Sequence, residues 1–136
     1  MRLSSALMIF CSCFLVLSCG DKGGNAPIGS VSGCTNGGAS VGGACWFLGA
    51  AGANCDTACG TKLVDAATQS FAGSSGTNTN CQSVLSALGA ATTPFVASFS
   101  SGLGCFFHIG VGASRDTATT LNGVTLANVQ RACACD

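Results

Sequence analysis

The stretch Val129-Gln-Arg-Ala-Cys-Ala-Cys135 has valine, arginine and two cysteines at its odd positions and glutamine and alanines between them. A period of two reads as an extended strand, so Cys133 and Cys135 lie on the same side of it and each bridges elsewhere. Asn54-Cys-Asp-Thr-Ala-Cys59-Gly60 has the opposite character. Asn54 is a good N-cap, Asp56 lies in the positive first turn and Gly60 can end the segment, so it reads as a helical turn or two. Cys55 and Cys59 then share one face at i and i+4.

The other elements are placed from these two. Cys81, Val84, Leu85 and Leu88 follow helical spacing, with Thr79 and Gln82 as an expected capping box and Gly89 as the stop, which predicts a helix over Asn80–Leu88. Ala44-Cys-Trp-Phe-Leu48, bounded by glycines, reads as a buried strand. Phe95, Ala97 and Phe99 alternate weakly; Cys105, Phe107 and Ile109 predict a firmer strand whose other face carries Phe106 and His108. The Ser, Thr, Gly and Asn-rich run from Gly110 to Val124 has no period and reads as a long surface loop. The expected fold class is a small α+β, disulfide-rich domain with few short strands, two short helices and much irregular loop.

The chain begins with an address. Arg2 precedes an apolar run from Ala6 to Leu17 that is too short to span a bilayer and reads as an export signal. Val16-Leu-Ser-Cys19 resembles the bacterial lipobox, which implies acylation of Cys19 after removal of residues 1–18. An ordinary secretory signal cut near the same place is the competing reading. In enteric-type bacteria Gly20 after Cys19 implies, by the same resemblance, sorting to the outer membrane, with the side of the membrane left open. Residues 19–32 lack apolar periodicity and read as a flexible tether of about 20 Å r.m.s. reach, followed by a Cys-rich domain over 33–136. The implied partner is therefore the lipid bilayer, through acylated Cys19.

With Cys11 and Cys13 in the signal and Cys19 given to lipid, eight cysteines remain: Cys34, Cys45, Cys55, Cys59, Cys81, Cys105, Cys133 and Cys135. In an exported domain of this size they read as up to four disulfides among 105 conceivable pairings. Neither Cys55-x-x-x-Cys59 nor Cys133-x-Cys135 has the knuckle spacing of a zinc ribbon, so no metal and no cofactor is expected.

The series Gly43-Ala-Cys-Trp-Phe-Leu-Gly49, Gly52-Ala-Asn-Cys-Asp-Thr-Ala-Cys59, Phe71-Ala-Gly-Ser-Ser-Gly76, Asn80-Cys81 and Arg131-Ala-Cys-Ala-Cys135 resembles a cysteine-rich module of exported bacterial proteins and lipoproteins. The Gly-x-x-Cys-Asp-x-x-Cys element and the terminal Arg-x-Cys-x-Cys are also similar to the cysteine-rich C-terminal part of N-acetylglucosaminyltransferase V-type enzymes. The resemblance implies a disulfide-stapled extracytoplasmic module near glycans. It implies no transferase activity, because that catalytic fold does not fit in this chain.

Composition narrows the function further. Five Lys and Arg balance five Asp among 136 residues, with one histidine and no tyrosine, which excludes the basic stripe of a nucleic-acid binder and is poor in catalytic groups. Gly38-Ala-Ser-Val-Gly42 matches the Gly-x-Ser-x-Gly elbow of serine hydrolases by chance in a chain this rich in small residues. Trp46 is a candidate sugar platform, although core is the commoner role for a tryptophan so flanked. Arg115 and Asp116, with Asn122 nearby, form the candidate binding face on the long loop, and His108 is the single imidazole. The expected function is a non-enzymatic, membrane-anchored binding or structural module of a bacterial envelope, with a glycan or an envelope protein as ligand. The alternatives are a carbohydrate-binding module built on Trp46 and a small envelope hydrolase that uses His108.

Overall fold

The chain is described by a computed structural model that covers residues 34–96 and 101–136. The signal 1–18, the tether 19–32 with Cys19, and the alternating positions Ala97 and Phe99 lie outside the described residues.

Gly42 and Gly43, with φ of 60° and 83°, supply the two left-handed residues of a tight hairpin between β1 (Ala39–Val41) and β2 (Ala44–Leu48). Ser40 therefore sits in mid-strand and not on a strand-to-helix elbow. Then come α1 (Cys55–Cys59), α2 (Ala67–Ser70), α3 (Asn78–Ala87), β3 (Phe95–Val96), β4 (Cys105–His108), β5 (Gly112–Arg115) and β6 (Val129–Ala134). The strands form one six-stranded sheet in the order β1-β2-β6-β4-β5-β3, antiparallel except where β3 runs parallel to β5.

The expected α+β, disulfide-rich character holds in outline, but the proportions differ. The sheet dominates, with six strands and three short helices among the described residues. Two strands were hidden by length and composition: β1 has only three residues, and β5 lies inside the expected surface loop. Gly112-Ala-Ser-Arg115 has no β-branched residue, and it is a strand because β4 and β3 pair with its two edges. Ile109, expected to continue the face of Cys105 and Phe107, falls in the β4–β5 turn and is about half exposed, while Phe106 on the other face is fully buried.

The local caps explain the helices. The Asn54 side chain accepts from Thr57 N at 2.8 Å and Gly60, at φ 63°, ends α1, as its sequence predicts. In α3 the cap is Thr77, whose hydroxyl accepts from Asn80 N at 3.1 Å, so the helix begins at Asn78 and its cap lies two residues before the expected Thr79. Asn80 Nδ2 donates to Phe71 O at 2.9 Å and ties that first turn to the preceding loop.

Two layers cover the sheet. On one side α3 packs Cys81, Val84 and Leu85 against Trp46, Cys105, Ala113, Ala132 and Ala134. On the other, α1 lies against β6, with Cys55, Cys59, Cys133 and Cys135 as its core, beside a smaller cluster of Leu103, Phe106 and Val129. All eight cysteines are paired: Cys34–Cys45 closes the β1–β2 side, Cys81–Cys105 joins α3 to β4, and Cys55–Cys133 and Cys59–Cys135 join α1 to β6.

The last two bridges match the i, i+4 pair of a helix to the i, i+2 pair of a strand and span sequence separations of 78 and 76. Once either is closed, the other closes a ring of only about eight residues, which makes its entropic worth about 2.5 kcal/mol, against about 4.5 kcal/mol for the first closure. Replacing Cys55 and Cys133 by alanine, or Cys59 and Cys135, should each cost about 2.5 kcal/mol, and replacing all four about 7 kcal/mol. Denaturant unfolding of the three variants checks this, and the deficit of the fourfold variant should exceed the sum of the other two.

Candidate functional site

Two charges are buried within the α1 layer and its loops. Arg131 is on β6 opposite Phe106 of β4 and is fully buried. Its Nε donates to Leu103 O at 2.8 Å, and Nη1 donates to Asn122 O at 3.0 Å and Val124 O at 2.7 Å. Nη2 is buried and has no hydrogen-bond partner among the described residues. Burial pushes the guanidinium pKa down to about 10 and the charge of Asp56 opposes this, so Arg131 stays cationic at neutral pH.

Asp116, also fully buried, is wrapped by backbone. Its Oδ2 accepts from Ser101 N and Gly102 N, each at 2.6 Å, and from Ser101 Oγ at 3.0 Å; Oδ1 accepts from Ala118 N at 3.0 Å. Desolvation alone would raise its pKa, but bonds from Ala118, Ser101 and Leu103 outweigh it and hold the carboxyl below its ordinary value. The segment 101–104 is thus gripped twice: its N–H groups by Asp116, and its Leu103 carbonyl by Arg131.

These positions revise the expected contact face. Arg115 leaves the sheet on the α3 side, where Nε donates to Asn78 Oδ1 and Nη1 to Gly73 O, both at 2.9 Å. Asp116 is inside, and Asn122, exposed at its side chain, presents its backbone carbonyl to Cys55 N and Arg131. The three do not form one surface. Trp46 is fully buried, with Nε1 donating to Val41 O at 2.9 Å and its ring 6.1 Å from that of Phe71, so it offers no platform to a sugar. His108 is half-buried at the end of β4, across from Gly112 and Val129.

Phe47, the neighbour of Trp46, points to the opposite side of β2, because successive strand residues alternate. Its half-buried ring packs on the α1 disulfide cluster and lines a cleft of about 200 Å³ with Asn36, Ala58, Cys59, Thr61 and Lys62. Lys62 Nζ stands 5.4 Å from the ring centroid. Gly38 lies against the ring, and a Cβ there would come within 2.7 Å of Phe47 Cζ, so the position requires glycine. Cys34–Cys45 holds the strand beside Asn36, and Cys59–Cys135 holds the floor.

No family model, curated protein or solved structure matches the chain. A shallow depression on α3, lined by Thr79, Gln82, Ser83, Ser86, Ala87 and Thr92, has hydroxyls and an amide but neither ring nor charge. A groove of about 210 Å³ beside the β4–β5 turn, bounded by Pro94, Phe107 and Val111, has a ring but no charge. Of these three, the cleft at Phe47 alone combines an aromatic surface, a cation, an amide and a hydroxyl. Among the described residues no cluster of His, Cys or Asp is arranged to hold a metal.

A carboxyl held below its ordinary pKa contributes stability that is present above the unfolded value of about 3.9 and lost as pH falls through the lower folded value. Urea unfolding between neutral and strongly acid pH should show that loss in the native chain, and a smaller one in Asp116→Asn. The variant should be less stable by about 2 kcal/mol at neutral pH. Arg131→Met, which takes their donor from the buried Leu103 carbonyl and the part-buried Val124 carbonyl and leaves Asn122 O only its bond from Cys55 N, should cost about 3 kcal/mol at neutral pH.

Proposed function

We propose that this chain is an exported, acyl-anchored lipoprotein of a bacterial cell envelope, and that its stapled domain serves as a non-catalytic binding or structural module. The observation that carries the reading is the pairing of all eight cysteines downstream of Cys19 into four disulfides. Such density fits an exported or extracellular protein, because cytosolic thiols are kept reduced. No helix among the described residues is long and apolar enough to cross a membrane, and in this reading attachment runs through acyl chains on Cys19. Two or more chains hold stably at about 0.8 kcal/mol per buried CH₂. The absence of an aspartate after Cys19 favours the outer membrane.

The polar groups support a module over a hydrolase. The most deeply buried ones, Arg131 and Asp116, hold loop backbone. Ser40 is paired in a strand with Cys45 across from it. A triad would need serine, histidine and aspartate in hydrogen-bond reach, and the His108 imidazole makes no such bond to the described residues.

Intact and non-reduced peptide mass spectrometry of the protein from its native envelope tests this. The expected result is a diacylated or triacylated N-terminal Cys19 and four bridged peptide pairs matching the connectivity above. Cys19→Ser should move the protein from the membrane to the soluble fraction. An unmodified Cys19 would overturn the anchor, and free thiols would overturn the stapled module.

A further inference from the structure

We propose that the cleft beside Phe47 is a saccharide site that takes one neutral hexose-type ring, stacked on Phe47 and bonded at its rim by Lys62, Asn36 and Thr61. The proposal rests on the reading of the domain as a binding module and names its ligand class. A pyranose has an apolar C–H face and a rim of hydroxyls, each of which donates and accepts. The cleft presents the complement: a half-buried ring, an ammonium with three donors, an amide with both donors and acceptor, and a hydroxyl. At about 200 Å³ it lies below the roughly 300–1,000 Å³ of drug-sized pockets, which suits a single ring and not an oligomer laid lengthwise.

The ring is held ready. Phe47 is backed by Gly38, and its β-strand is pinned through Cys45 to Cys34 and across β6 to the α1 bridges. The cleft therefore pays little ordering entropy on binding. In the free protein Lys62 covers the ring, an interaction worth about 0.5–1 kcal/mol at an exposed site, so a ligand displaces it cheaply and gains its donors. Lys62 is not an isolated cation: the Asp136 carboxyl lies within its electrostatic reach, and Lys62 opposes the rise in the Asp136 pKa that the hydrogen bond with Asp65 causes.

Amide-resolved NMR of the labelled, oxidised full chain, purified in detergent, tests the assignment with glucose, N-acetylglucosamine, glucuronate and inorganic phosphate up to roughly 100 mM. The expected result is saturable shifts with the neutral sugars, centred on Asn36, Gly38, Phe47, Thr61 and Lys62. Phe47→Leu, which keeps apolar volume and removes the aromatic face, should weaken binding about tenfold, and the exposed-end change Lys62→Met about threefold. No saturable shift, shifts centred elsewhere, equal affinity in both variants, or a response to phosphate and glucuronate alone would each overturn the site. A null titration on protein shown to be acylated at Cys19 and fully bridged removes the sugar site and leaves the anchored module standing.

Discussion

β6 runs through the middle of the sheet, hydrogen-bonded to β2 on one edge and β4 on the other, so neither half of the sheet is complete without it. A strand in that place must be covered on both faces, and its residues divide accordingly. Ala132 and Ala134 are small enough for the sheet to pack closely under α2 and α3, while Arg131, Cys133 and Cys135 face the α1 layer. That second layer is thin. A helix of five residues is far below the length at which a helix holds by itself, and it buries little apolar area. Two disulfides to β6 supply what packing cannot.

The same thinness explains where the buried charges went. On the α1 side the sheet is roofed largely by loops, and loop backbone leaves carbonyl and N–H groups that need partners once water is excluded. Arg131 and Asp116 serve as those partners, one from beneath and one from the end of β5. Each charge is solvated by backbone dipoles. Two of the few charged residues of the chain are spent in this way, which leaves Lys62 as the cation beside an accessible cleft with a ring.

Where a structural signal is local, the residues display it openly. Asn54, Asp56 and Gly60 specify α1 from cap to stop, since each acts within one turn. Thr79 and Thr77 both fit the N-cap pattern of α3; the choice fell to Thr77 because Asn80 is anchored to Phe71 O, a contact made across a loop. Gly42-Gly43 was a hairpin signal that could have disclosed β1, but three residues of strand are too few to show a period. β5 had no such signal. Its residues are strand by virtue of their neighbours, and the burial of Asp116 follows from that placement. The aromatic pair shows the limit most clearly: alternation says that Trp46 and Phe47 face opposite ways, and only the two layers decide which of them is sealed in.

The sequence by itself determined the even set of eight cysteines after Cys19, the cap and stop of α1 and the extended character of the C-terminal stretch, because these are matters of composition and of neighbours within a few residues. The tertiary structure alone decided which cysteines meet, that Arg131 and Asp116 are interior, and that the open cleft lies at Phe47 and not at Trp46. Pairing requires two distant segments to come within about 5.5 Å of each other at Cα. Burial is likewise a property of what packs on a residue, and no window along the chain contains it.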